Sequence, residues 1–345
     1  MKILEVNDYS LNDRNASGAE NFLARLTDGL VERGHDIESI SLFHGDVPSS
    51  LAEYDVIHIN NARHCSEKSQ RRVSETLEKT VFTVHDYLPL CRARNMLFLN
   101  FIECPFLGQG ICEDCVPAWY GRQLPQDFYA EAHTVVYPSR KMKSIFERCM
   151  KTKGIVIHHG IPIPKLEHQD SNENYVLFTG RVLHEKGIVT LIAAFKNVKA
   201  EMPKAKLICS HKGDLETFKE LAPEGINFLG GVANDELERL YRGATVIVAP
   251  SIWQEPFNLT VLEAYSYAKP VIASNIGAHP ELVKHGKTGF LFKPFDDQDL
   301  ADRIIQLSTD ETYTNNLGRN GFRLLKDEFN LEKMVRDYES IFETI

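Results

Sequence analysis

The sequence predicts an α/β protein built from parallel sheets in two successive domains. Strand-like and helix-like segments alternate along the whole chain, which is the pattern of parallel sheets with helical crossovers. The second half repeats the scheme of the first. At 345 residues the chain is long enough for about two domains of ordinary size.

The first strand, residues 3–6, runs into a polar loop and then a helix with Phe22, Leu23, Leu26 and Leu30 on one stripe. Gly34 closes that helix. Further strands are expected at 37–42, 56–59, 81–84, 134–137 and 155–157. The second half opens with a strand at 175–178 and a helix carrying Ile188, Leu191, Ile192 and Phe195 on one face. Strands follow at 207–209, 226–229, 245–248, 271–273 and 290–292. The join falls in 161–174, a polar run with two prolines that suits a linker. The expected domains are 1–165, with a cysteine-bearing insertion at about 87–122, and 166–328. A last helix over 329–345 follows the break at Phe329-Asn330.

Composition narrows the class. Hydrophobic content of 43% and charged content of 25% are those of a globular protein. The net charge of −9 argues against general nucleic-acid binding. Met1-Lys2 leads straight into a strand, and no apolar run spans a bilayer. The seven cysteines, an odd number without an export signal, point to reduced thiols and a cytoplasmic protein.

Two segments carry the chemistry. In APSIWQEPFNLTVLE, Glu255 and Glu263 have seven residues between them. Pro256 disfavours helical geometry at Glu255 and places it in a loop. Asn258 or Thr260 can cap a helix with Leu259, Leu262 and Ala264 on its apolar side, which carries Glu263 within its first turns. An anion drawn to the N–H groups at that helix start has a carboxylate on either side, and carboxylates accept well from sugar hydroxyls. The strand at 175–178 runs into Thr179-Gly180-Arg181, then into Glu185-Lys186-Gly187 before the next helix. Arg181 and Lys186 therefore lie in the loop at a strand's C-terminal end, where open parallel sheets bind ligands and where cations can stabilise a departing diphosphate.

GRVLHEKG, PSIWQEPFNLTVLEA and KPVIASNIGAHPELVKHGKTGFLF, in that order over roughly 175–307, resemble the donor half of a family 4 retaining glycosyltransferase (group 1). MKILEV, the ASGAE loop, RGHDI and TVHD match the N-terminal half more loosely. The resemblance implies the GT-B architecture, two Rossmann-like parallel-sheet domains facing across a cleft, with the last helix crossing back to the first domain. It implies a UDP- or GDP-sugar donor, a hydroxyl acceptor on a lipid-linked glycan, polysaccharide or small metabolite, and metal-independent transfer. By resemblance, Arg181 and Lys186 hold the diphosphate, Glu263 accepts from the ribose hydroxyls and Glu255 from the sugar hydroxyls. Gly180 and the backbone of Phe257, Asn258, Leu259 and Thr260 meet the donor, and Val232 walls the base. Ser17 and Gly18 form the loop of the first domain, and His85 contacts donor or acceptor near the reacting carbon.

The chain departs from the family where Ser17 replaces one of two glycines, where Asn258 replaces a glycine, and at Ser210-His211-Lys212-Gly213. Other GT-B enzymes, such as a nucleotide-sugar epimerase, and a non-catalytic sugar-nucleotide-binding protein are the alternatives.

Cys91, Cys104, Cys112 and Cys115 offer four thiolates, a set that suits structural zinc, against which stand buried thiols or disulfides. Arg140, Lys141, Lys143, Arg148, Lys151 and Lys153 flank an apolar stripe of Met142, Ile145 and Phe146. That helix either rests on an anionic membrane surface or turns a solvated basic face outward.

Overall fold

The structure is a computed structural model that describes residues 1–9, 18–91, 97–98, 102–104, 124–150, 152, 154–164, 173–181, 183–212, 216–220 and 222–345. The chain forms two compact units, Met1–Pro162 with Phe329–Ile345, and Ile163–Glu328. Each holds a six-stranded sheet in which every pairing is parallel.

In the N-terminal unit the strands are β1 (Lys2–Asn7), β2 (Asp36–Ser41), β3 (Val56–Ile59), β4 (Thr80–Thr83), β7 (Thr134–Tyr137) and β8 (Gly154–Val156), in the order β2-β1-β3-β4-β7-β8. Leu97–Phe98 (β5) and Ile102–Glu103 (β6) pair separately and antiparallel. The central strands are buried along their length because helices cover both faces, so they read as unbroken apolar runs. Their core joins Ile3, Val56, Val81 and Val136 to Phe22, Leu23, Leu26 and Leu30 of the helix Gly18–Glu32. The final helix, Leu331–Phe342, adds Met334, Val335, Tyr338 and Phe342 to the same core.

One polar chain runs through this apolar centre. Glu5 and His58, both fully buried, pair at 2.8 Å through His58 Nδ1. His58 Nε2 lies 2.7 Å from Thr83 Oγ1, which lies 2.9 Å from the Tyr338 hydroxyl. The final helix is thus held by apolar packing, by this buried hydrogen bond, by Met334 Sδ accepting from Gly160 N at 3.1 Å, and by Glu339 pairing with Arg33 and His35.

The basic segment forms the helix Arg140–Cys149, capped by the Ser139 hydroxyl accepting from Met142 N. Met142, Ile145 and Phe146 are buried, while Arg140 and Arg148 are exposed. No helix among the described residues is long and apolar enough to cross a membrane.

In the C-terminal unit the strands are β9 (Tyr175–Arg181), β10 (Leu207–Lys212), β11 (Ile226–Leu229), β12 (Ala244–Ala249), β13 (Val271–Ser274) and β14 (Gly289–Phe292), ordered β11-β10-β9-β12-β13-β14. Strand order reverses between β9 and β12, so the crevice outside their C-terminal ends is where such sheets bind ligands. β9 and β10 run three residues further than the sequence suggests. Their backbones stay paired to His211↔Gly180 and Lys212↔Arg181, so ladder bonds extend both strands through polar residues. Gly180 and Arg181, expected in a loop, are the last residues of β9.

A chain ending at Glu328 loses Met334, Val335, Tyr338 and Phe342 from the N-terminal core. At about 1.5–3 kcal/mol per buried side chain, this approaches the whole stability of a domain. Circular dichroism should show the N-terminal unit unfolded in that truncation; an unchanged melting curve would contradict the assigned packing.

Candidate functional site

The C-terminal ends of β9 and β12 carry most of the residues singled out in the C-terminal unit. After β9 the chain turns through a short 3₁₀ segment, His184–Lys186, into the helix Ile188–Glu201. Gly187 makes that turn with a left-handed φ of 75°, and a Cβ there would sit 1.8 Å from the Pro250 carbonyl oxygen. Only glycine permits both the angle and the approach. Ile252 N donates to Glu185 O at 2.9 Å, tying the turn to the segment after β12.

This clamp sets Lys186 beside Glu255. Lys186 Nζ is 2.6 Å from Glu255 Oε1, and Trp253 Nε1 donates to Glu255 Oε2 at 2.5 Å. Lys186 Nζ also lies 5.4 Å from the centre of the Trp253 ring, a favourable place for a cation. The Glu255 backbone carbonyl accepts from Ala278 N at 2.9 Å, and Gly277, at φ 59°, passes so close that a Cβ would meet Glu255 N at 2.3 Å. Burial pushes the Glu255 carboxyl up, but the Lys186 ammonium, aided by hydrogen bonds, outweighs it and holds the group below its ordinary value.

The second acid is held differently. Glu263 lies on the helix Leu259–Ser266 and accepts from the Tyr241 hydroxyl at 2.9 Å. That hydroxyl is also 2.9 Å from Thr179 Oγ1, two residues before Arg181. Burial, with Glu263 nearby, pushes the Tyr241 phenol well up. Tyr241 therefore stays a neutral donor linking the helix to the end of β9.

Asn258 caps the helix: its Oδ1 accepts from Thr260 N at 3.2 Å, in extended backbone at φ −134°. The amide orientation is fixed from behind. His279 Nδ1 donates to Ser274 O at 2.9 Å, so Nε2 is the acceptor for Asn258 Nδ2, also at 2.9 Å. Burial keeps His279 neutral by lowering its pKa. The N–H groups of Asn258 and Leu259 donate to no acceptor among the described residues. Arg181 is exposed and makes no ion pair among the described residues.

Arg181, Lys186, Glu255, Asn258, Leu259, Thr260 and Glu263 are thus brought to one end of one sheet. Phe257 is buried beside them, Gly180 is exposed at the end of β9, and Val232 is half-buried after β11. Trp253, Tyr241 and His279 were not read as site residues. Of these, Trp253 alone carried a signal, as an aromatic donor two residues from Glu255.

In the N-terminal unit, Gly18 opens the helix Gly18–Glu32, and Ser17 lies outside the described residues. His85 follows β4 and places Nε2 3.0 Å from Asn60 Oδ1. Burial lowers its pKa to about 3, with His58 adding to the effect. Cys91 and Cys104 are partly buried, whereas Cys112 and Cys115 lie outside the described residues. Among the described residues no cluster of His, Cys, Asp and Glu is arranged to hold a metal.

The family described as Glycosyl transferases group 1 matches residues 163–324. An uncharacterized glycosyltransferase of Methanocaldococcus jannaschii is 28% identical over a 370-residue alignment covering 92% of each chain. Among solved structures, sucrose-phosphate synthase from Thermosynechococcus elongatus superposes with a TM-score of 0.73 at 19% identity, covering 99% of this chain and 98% of that one. Anabaena HepE, solved in complex with UDP and glucose, superposes with a TM-score of 0.70 at 19% identity over all of both chains.

Two outcomes follow from this geometry. Gly187→Ala meets a left-handed backbone and the Pro250 carbonyl together, so it should cost about 2 kcal/mol or more and lower the melting temperature; an unchanged melting temperature would contradict the clamp. Because the folded Glu255 pKa is depressed, its contribution to stability is present above the ordinary value of 4.5 and lost as pH falls below it. Denaturation curves between pH 7 and about 3 should therefore show a weaker acid loss in Glu255→Gln than in the unaltered protein; equal slopes would contradict the pairing.

Proposed function

This chain is a group 1 glycosyltransferase with the GT-B fold, and on that premise we propose that it transfers a sugar from a nucleoside-diphosphate sugar to a hydroxyl acceptor with retention of anomeric configuration. The observation that carries the reading is the convergence at the β9–β12 switch point. An exposed Arg181 with no ion pair among the described residues, a capped helix start with N–H groups that meet no acceptor among them, and two carboxylates held in fixed hydrogen bonds meet there.

Each part has a task in this reading. Arg181 and the N–H groups of Asn258 and Leu259 bind the diphosphate, as helix starts and guanidinium groups do. Glu263, held by Tyr241, accepts from the ribose hydroxyls. Glu255 accepts from hydroxyls of the transferred sugar, and Lys186 offsets charge developing on the leaving diphosphate. These protein cations supply the charge neutralisation that a metal ion supplies elsewhere.

The bond from the anomeric carbon to the diphosphate oxygen breaks, and one to the acceptor oxygen forms on the same face. The acceptor proton passes to the departing diphosphate. Both Glu255 oxygens are already hydrogen-bonded, which disfavours it as a covalent nucleophile and suits it to positioning. A UDP-sugar is the donor to test first, since a protein of the same fold was solved with UDP-glucose. The N-terminal unit is assigned the acceptor, a saccharide or lipid-linked saccharide hydroxyl, with His85 at a substrate hydroxyl.

Thermal-shift titration with a panel of nucleotide sugars tests this. A donor at a hundred times its Kd should add about 2.7 kcal/mol of stability. Arg181→Ala, exposed and outside every ion pair described, should leave the ligand-free melting temperature unchanged. It should lower kcat/KM by roughly 10- to 100-fold, the loss of one charge-assisted contact. A panel in which no nucleotide sugar raises the melting temperature, or an Arg181→Ala enzyme with full turnover, would overturn the reading.

A further inference from the structure

Among the polar groups of the N-terminal unit, one chain determines a proton position. Asn60 follows β3 and is more than nine-tenths buried. Its Nδ2 lies 3.1 Å from Glu5 Oε2, and its backbone N donates to Val6 O at 2.9 Å. A carboxylate accepts and does not donate, so Glu5 fixes which end of the Asn60 amide faces it. His58 holds Glu5 in turn: Nδ1 donates to the carboxylate at 2.8 Å while Nε2 meets Thr83. Asn60 Nδ2 is also 3.5 Å from His58 Nδ1, but that nitrogen's proton is directed at Glu5. Asn60 Oδ1 is therefore the end presented to His85, at 3.0 Å from Nε2.

An amide oxygen only accepts, so His85 Nε2 must carry the proton. A neutral imidazole has one N–H, which leaves Nδ1 with the lone pair. The environment keeps the ring neutral. Phe22 packs on it edgewise with ring centres 5.0 Å apart, and His159 stacks on it at 5.6 Å. His85 Nδ1 makes no hydrogen bond among the described residues.

We propose that Asn60 is a positioning residue that fixes His85 as its Nε2–H tautomer, so that Nδ1 accepts a hydrogen bond from a substrate hydroxyl. The inference deepens the transferase reading and rests on it for the identity of the substrate. It defines what His85 recognises: an O–H donor such as a sugar hydroxyl, and not a phosphate oxygen, which itself needs a donor. The Glu5–His58 pair sets the amide, the amide sets the imidazole, and the imidazole sets the ligand group.

The test reads the tautomer directly. Long-range ¹H–¹⁵N correlation on ¹⁵N-histidine-labelled protein at pH 7, with the His85 signals assigned by their loss in His85→Gln, should show Nε2–H. In Asn60→Leu that preference should disappear, and kcat should fall by about 10- to 100-fold, as when the hydrogen-bond partner of a working histidine is removed. Donor KM should stay within roughly threefold.

An Nδ1–H or doubly protonated His85 in the unaltered protein would overturn the inference, and that measurement needs no variant to fold. A folded Asn60→Leu with full kcat would also overturn it. The two readings fail separately. An Nε2–H ring in a protein that transfers no sugar defeats the transferase reading, and sugar transfer with an Nδ1–H ring defeats this one.

Discussion

The ion pair between Lys186 and Glu255 is the constraint on which the C-terminal site depends. A carboxylate this deeply buried is tolerated only with a counter-charge and hydrogen bonds to its remaining lone pairs. Lys186 supplies the first and Trp253 part of the second. The pair in turn requires the Gly187 turn against Pro250 and the passage of Gly277 behind Glu255. Two left-handed glycines and a short 3₁₀ segment are thus explained by one charge that has to be placed and kept paired.

The same logic organises the N-terminal unit with a different outcome. Glu5 and His58 sit in the centre of a parallel sheet, where apolar residues of similar volume would be at least as stabilising. Their carboxylate and ring have partners on every side, reaching Tyr338 in one direction and Asn60 in the other. Buried polar chains of this kind specify geometry more than they stabilise it, and here the geometry specified is that of His85.

Much of the fold was legible because strands buried on both faces read as continuous apolar runs. The strands at 56–59, 134–137 and 226–229 are legible to their exact ends, and most others to within a residue. The misreading at Gly180 and Arg181 has a physical cause. Their extended backbone comes from ladder bonds to β10, and neither residue has intrinsic strand preference. In the site, the acids and cations were legible because Pro256, Asn258 and Gly187 announce a loop, a cap and a turn. The partners were not. Tyr241 and His279 are distant in sequence from the acids and backbone they serve, and a histidine or glutamate inside an apolar run, as at His58 and Glu5, gives no local sign of what it faces.

The most direct measurement is a double-mutant cycle on Lys186→Met and Glu255→Gln, read by chemical denaturation. Lys186→Met alone strands a buried carboxylate and should cost about 3–5 kcal/mol. The double variant should recover most of that loss, with a coupling energy of roughly 1–3 kcal/mol. Additive losses, with no recovery in the double variant, would show that the two side chains do not depend on each other and would contradict the account.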